Sequence, residues 1–157
     1  MASTTRHEIR AQTDIAAPAK LVWARISDHE QTPTWVEQVR RVKLTHLGNP
    51  RNGVGAIRVV EFKPLLWTTI HEEITAYSPG VAFEYVLFKG MPALRSHLGR
   101  LSIDTVDNGH CTLHWDVDFE FDTVHPFRLF LSRFLRDFEG VLNDGLLELK
   151  RQLESTG

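Results

Sequence analysis

The chain has a single cysteine, Cys111, in 157 residues. An internal disulfide is therefore excluded, and a reducing compartment is the natural setting. No run of roughly 18 apolar residues occurs, so no segment reads as a membrane-spanning helix. The opening MASTTRHEIR lacks the apolar core of a signal peptide, and the expected location is cytoplasmic. A dominant charge is missing too. A net charge of −2 gives no electrostatic basis for general nucleic-acid binding. There is no G-x-G-x-x-G or Walker-type loop, no H-E-x-x-H or C-x-x-C, and no G-x-S-x-G elbow. His71-Glu72-Glu73 does not replace them, because neighbours on a strand point to opposite faces. No metal site and no cofactor are expected. No linker, repeat or low-complexity tract divides the chain, so one domain over residues 1–157 is expected.

What the chain does have is bulk. Four Trp and nine Phe are many large side chains to bury, and such residues often line apolar pockets. The longest helical pattern is 125–153, with no proline after Pro126. Phe127, Leu131, Phe134, Phe138, Leu142, Gly145 and Leu149 recur there at steps of three or four and share one face. Such a helix would be roughly 40 Å long. Its start, His125-Pro126-Phe127-Arg128-Leu129-Phe130-Leu131, is basic and amphipathic. Helices of this kind in small domains are usually core elements, with membrane-surface contact the lesser reading.

The rest reads as strands with two short helices near the start. Residues 6–15 alternate as a strand, and Pro18 opens a short helix. A second short helix or turn lies near 30–36, limited by Pro33. Strands follow at 39–47, 54–63, 67–77, 81–88, 94–105 and 111–121. Turn clusters separate them, including the hairpin signal Asp107-Asn108-Gly109. Short turns between consecutive strands predict an antiparallel meander. The order is β-α-α-β-β-β-β-β-β-α, an α+β chain.

Strand parity predicts which side chains point inward. On the last strand Cys111, Leu113, Trp115, Val117, Phe119 and Phe121 share one face, and an acidic row fills the other. A solvated outer face is the plain reading of that acidic row. On 54–62 the inner row is Val54, Ala56, Arg58, Val60 and Phe62. On 68–76 it is Thr68, Ile70, Glu72, Ile74 and Ala76. On 81–87 it is Val81, Phe83, Tyr85 and Leu87. On 97–103 it is His97, Gly99, Leu101 and Ile103. Four polar groups thus share an apolar face. A buried charge is costly unless paired, so Arg58 and Glu72, on adjacent strands, should meet or line a wet cavity. A structural ion pair and a ligand-facing pair stay open. For His97 a satisfied core histidine is the plainer reading, and Trp115 and Phe134 read first as core. Cys111 should be inert in an apolar setting.

Several stretches resemble the START-like, SRPBCC or Bet v 1-like superfamily, and within it the polyketide cyclase/dehydrase-type proteins. They are IAAPAKLVWARISDHEQTPTWVEQV, GVGAIRVVEF, HEEITAYSPGVAFEYVLFKGMP and GHCTLHWDVDFEF. The resemblance covers about residues 8–153. It implies a helix-grip fold, with a seven-stranded antiparallel sheet wrapped around the long C-terminal helix and two short helices closing one end. It also implies an elongated cavity between sheet and helix that takes an apolar or aromatic small molecule, lipid-, polyketide- or hormone-like. The expected lining is Trp35, Arg58, Val60, Phe62, Leu66, Ile70, Glu72, Phe83, Tyr85, Leu87, Leu94, His97, Trp115, Val117, Phe134, Phe138 and Leu142. Loops 63–67 and 89–94 would flank its mouth. The family shares no single catalytic set, so enzyme activity stays open. The alternative is a cyclase or aromatase using Glu72 and His97 for proton transfer and Arg58 to hold a developing anion. A partner-recruiting module of the same fold is the third reading. A monomer or a homodimer would suit any of the three.

Overall fold

The computed structural model describes residues 3–63 and 69–155. Strand β1 (Thr4–Ile15) leads into helix α1 (Ala19–Ile26) and a short 3-10 helix (His29–Thr34). Strands β2 (Val39–His46), β3 (Ile57–Phe62), β4 (Thr69–Ser78), β5 (Ala82–Lys89), β6 (Leu94–Asp107) and β7 (His110–Asp122) follow. A second 3-10 turn (Pro126–Phe130) opens helix α2 (Leu131–Ser155). The sheet has seven strands in the order β1-β7-β6-β5-β4-β3-β2, and the pairs are antiparallel. This is the expected α+β helix-grip architecture. The meander runs from β2 to β7, and β1 returns to pair with β7 along its whole length.

The alternation of β7 is the clearest link from sequence to packing. Cys111, Leu113, Trp115, Val117, Phe119 and Phe121 are all buried, and the residues between them are not. Across the hairpin β6 matches, with His97, Gly99, Leu101 and Ile103 buried. The turn between them is tied by Asp107 Oδ1, which accepts from the Gly109 N–H at 2.8 Å.

Three expected inner positions are corrected. Val54 is exposed because β3 starts only at Ile57. Residues 47–54 form a loop instead, closed by Asn52 N–H to Leu47 C=O and Asn49 N–H to Val54 C=O. Val81 is exposed at a turn whose N–H bonds back to the Ser78 carbonyl. Ala76 is only half-buried, because the register shifts between Ile74 and Ala76. A bulge flips the faces beyond it, so Tyr77 turns inward and meets the Trp23 ring at 5.4 Å. Thr68, Leu66 and the rest of 64–68 lie outside the described residues.

The long helix also differs from expectation. Its first five residues are 3-10 rather than α. Pro126 fixes the first turn, and His125 Nδ1 accepts from the Phe127 N–H at 3.1 Å. The α2 helix then spans 25 residues, about 37 Å, and its two halves pack differently. Val141, Leu142, Gly145, Leu146, Leu149 and Leu153 are buried, whereas Phe134 and Phe138 are only half-buried. Gly145 permits the close approach: a Cβ there would lie 3.2 Å from Val36 and 3.6 Å from both Trp35 and Trp115. The helix end is tied to β1 through Ala16 N–H to Glu154 Oε1 at 2.8 Å.

A second glycine has no slack. Gly99 pairs with Tyr85 across β6 and β5, and the Tyr85 ring lies flat over it. A Cβ at residue 99 would sit 2.1 Å from Tyr85 Cζ. Gly99→Ala is expected to destabilise the fold by at least about 2 kcal/mol through overpacking, read as a lower urea midpoint. In a Tyr85→Ala background the same change should cost far less. Equal costs in the two backgrounds would show that the ring contact is not the reason.

Candidate functional site

The sheet's inner face and the first half of α2 do not fully close on each other. Among the described residues they leave a cavity of about 50 Å³. Val39, Val60, Ile70 and Leu87 line it from the sheet, Val36 from the stretch before β2, and Phe138, Val141 and Leu142 from α2. Its polar lining is concentrated in Arg58, Glu72, Tyr85 and His97, with Thr32 beside them. A larger hollow of about 730 Å³ lies outside, between α2 and residues 33–40. It is open to solvent and lined by mixed charges such as Arg40, Asp144 and Arg151. The small cavity is the candidate site, because there, among the described residues, buried ionisable groups are gathered against apolar walls.

The cluster is built by register. Arg58 and Glu72 are direct cross-strand partners on β3 and β4. Arg58 Nε donates to Glu72 Oε2 at 2.7 Å, and both side chains are 7% exposed. A second nitrogen of the same guanidinium, Arg58 Nη1, is 3.1 Å from His29 Nδ1. His29 Nε2 is 2.8 Å from the Asn52 carbonyl. A guanidinium only donates and a carbonyl only accepts. His29 must therefore be neutral, with its proton on Nε2 and Nδ1 accepting from Arg58. The guanidinium carbon also sits 4.5 Å from the Tyr85 ring centroid, a cation–π contact. Trp115 Nε1 donates to Tyr85 Oη at 2.8 Å. His97 Nδ1 accepts from the Leu87 N–H at 3.0 Å, which makes Nε2 the protonated nitrogen of its neutral ring.

Electrostatics follow from burial. Desolvation, and next the Arg58 charge, push the His29 imidazole down to about 3. The same two causes in the same order push His97 down to about 4. Burial and then the nearby Glu72 push the Tyr85 phenol upward, against the smaller pulls of Arg58 and Trp115. Tyr85 therefore stays protonated. Burial raises the Cys111 thiol, whose Sγ donates to the Ala17 carbonyl at 3.6 Å. It is not an activated nucleophile.

The sequence matches the family model described as polyketide cyclase / dehydrase and lipid transport over residues 6–154. The chain belongs to this family. No curated protein matches it in sequence. Solved structures agree in fold. An aromatase/cyclase named Zhui, from Streptomyces sp. R1128, is 16% identical with a TM-score of 0.77, covering 96% of this chain and 94% of that one. A START superfamily protein from Mycobacterium smegmatis is 15% identical with a TM-score of 0.75, covering 96% and 99%. Norcoclaurine synthase from Thalictrum flavum, in complex with dopamine and hydroxybenzaldehyde, is 13% identical with a TM-score of 0.74, covering 99% and 90%. At these identities the likeness concerns fold.

Within this family member, the expected lining divides. Arg58, Val60, Phe62, Ile70, Glu72, Tyr85, Leu87, His97, Trp115, Phe138 and Leu142 border the cavity. Phe83 does not; it packs edge-on against His29 at 5.0 Å. Val117 is core, with no exposure. Trp35 lies behind Trp115, the rings tilted with centroids 5.5 Å apart, and borders the outer hollow. Leu94 is half-buried away from the cavity. Phe134 joins Phe138, Phe121 and Phe127 in an aromatic cluster with centroids 5.7–6.1 Å from its own. Leu66 lies outside the described residues. Among the described residues, the elongated cavity implied by the resemblance is a small one of about 50 Å³. Reasoning from sequence missed Met91 and Phe119 on the wall and, above all, His29. The available signal for His29 was the buried guanidinium itself, whose five donors exceed what one carboxylate can take.

The histidines give a pH test. Above their ordinary value of 6.5 they are neutral in both folded and unfolded chains and contribute no slope. Between 6.5 and the folded values near 3 and 4 the unfolded chain binds protons that the native one does not. Stability should therefore fall as pH drops through that window, by roughly 2–3 kcal/mol from His29 alone by about pH 4.5. Gln at position 29 can accept from Arg58 and donate to Asn52 without titrating. His29→Gln should thus flatten the decline, measured by urea unfolding at pH 7 and at about pH 4.5. An unchanged slope would remove His29 as its source.

Proposed function

We propose that this protein binds an apolar or aromatic small molecule, lipid-, polyketide- or hormone-like, between its sheet and the first half of α2. The observation that carries this reading is the cavity between sheet and helix, apolar except for one gathered polar cluster. Val60, Phe62, Ile70, Leu87, Trp115, Phe138 and Leu142 would hold the apolar body. Arg58 and the protonated Tyr85 would face one oxygen of the ligand. A cavity of about 50 Å³ has room for a few waters at most, so a ligand must widen it. The walls that yield at least cost are Met91, an adaptable side chain on the loop before β6, and Phe138, which is only half-buried.

A cyclase or aromatase activity is the second reading, favoured by the pairing of Arg58 and Tyr85, two donors suited to a developing oxyanion. It needs a base as well. His97, held near 4 and already accepting a backbone N–H, is a weak one at neutral pH. Binding therefore ranks first.

Native mass spectrometry of the purified protein and titration with anilinonaphthalene sulfonate, an apolar dye with one anionic group, test the reading. Saturable dye binding is expected, and Val60→Trp, which fills the cavity, should weaken it at least tenfold, about 1.4 kcal/mol. Equal binding by the variant would place the dye elsewhere and sink the proposal. If the protein instead turns over an enolisable polyketone, Glu72→Gln and His97→Gln should each abolish turnover with the circular dichroism spectrum intact. Unchanged turnover in both would remove those roles.

A further inference from the structure

The basic, amphipathic start of the C-terminal helix does not end up in the core. Leu129 is 76% exposed, Phe130 65% and Val124 69%. Other exposed apolar residues, such as Leu98, Val106 and Leu21, stand singly on strands, turns or helix flanks, which is ordinary. Here two consecutive large side chains stand proud of the surface with a third close by. They are held there. Phe127 packs on Phe121 at 5.8 Å and on Phe134 at 5.7 Å, and Leu131 is buried, so the segment's other face is committed to the core. Pro126 and the His125 cap fix the 3-10 turn that presents the tip. Leu129 and Phe130 cannot turn inward without unpacking that face.

Charge says what covers the tip. Between Thr123 and Arg136 the chain carries Arg128, Arg133 and Arg136 and no acidic residue. All three arginines are exposed. Arg128 reaches only a backbone carbonyl, that of Thr123, at 3.2 Å. Arg133 has one long pair, with Asp137 at 3.7 Å. The chain as a whole is net negative, at −2, so this local excess is not a by-product of a basic protein. Projecting aliphatic and aromatic side chains ringed by guanidinium groups fit a soft, anionic, apolar-cored partner.

We propose that residues 124–136 dock this protein on an anionic lipid bilayer, with Val124, Leu129 and Phe130 entering the interface and Arg128, Arg133 and Arg136 meeting lipid phosphates and carboxylates. The proposal does not depend on what the cavity holds, since none of these six residues lines it.

Vesicle flotation tests it. Wild-type protein should float with vesicles of phosphatidylcholine containing about 30% phosphatidylserine, bind pure phosphatidylcholine far less, and be released by about 0.5 M salt. The double variant Leu129→Ser, Phe130→Ser should lose at least about tenfold in partitioning to the anionic vesicles. The triple variant Arg128→Gln, Arg133→Gln, Arg136→Gln should lose a comparable factor there and little on neutral vesicles. Dye binding in the cavity should be unchanged in both, which separates this result from the fate of the cavity reading. No flotation of wild type with either vesicle would overturn the proposal. So would variants that float as wild type does. A change from dimer to monomer by light scattering in Leu129→Ser, Phe130→Ser, without wild-type flotation, would assign the patch to a second copy and equally overturn it.

Discussion

A guanidinium buried in the middle of a β-sheet face constrains everything around it. Taking such a charge out of water costs several kcal/mol unless its partners are already in place. Arg58 is 6% exposed, and its partners come from three separate segments. Glu72 is supplied by the β3–β4 register. His29 comes from the 3-10 helix after α1, and is itself held by the 47–54 loop through Asn52. Tyr85 comes from β5 and lies over the guanidinium only because residue 99 on β6 has no side chain. A slip of any of these strands by one residue would leave a charge unpaired. The cluster therefore works as a register lock as well as a polar patch, and burial, followed by the Arg58 charge, keeps both histidines neutral.

The helix that completes the fold has two jobs, and its packing shows where one ends. From Val141 onward α2 is pressed against β1, Val36 and the neighbouring rings of Trp35 and Trp115, with Gly145 allowing the approach. Before that point its inward residues are phenylalanines that touch mainly each other and Phe119 and Phe121. Half-buried aromatic rings lose fewer contacts when displaced than fully buried leucines do. The anchored half fixes the fold, and the looser half borders the cavity. The same looser half begins with the exposed tip at Leu129 and Phe130, so bilayer contact there and widening of the cavity would act on one continuous segment.

Much of this was readable because a strand has period two. Once β7 showed a clean alternation, the same parity placed Arg58, Glu72, Tyr85 and His97 on the inner face. The cavity wall follows from that placement alone. What period two cannot see is a change of phase. The bulge after Ile74 moved Tyr77 inward at the expense of Ala76, and no residue type there announces it. His29 lies in a 3-10 helix too short to have a face, so periodicity had nothing to say about it. Cavity size was illegible for another reason. It is a small difference between large packed volumes, and Phe138 and Phe134, four residues apart on one helix face, fall on opposite sides of that line.

The balance between binding and catalysis turns on the same cluster. A catalytic base must be free to take a proton near neutral pH. Here Glu72 accepts from Arg58, His29 accepts from Arg58, and His97 accepts from the chain at Leu87. Each of these groups already accepts a hydrogen bond, while donors remain in the cluster: a guanidinium with more N–H groups than the partners it finds among the described residues, and a phenol kept protonated by burial. A site rich in fixed donors and poor in free bases can hold and polarise an oxygen far better than it can remove a proton. An apolar molecule with one accepting oxygen would satisfy such a site without disturbing the network that holds it. A reaction that needs a proton taken away would first have to break the ion pair on which the fold's register depends.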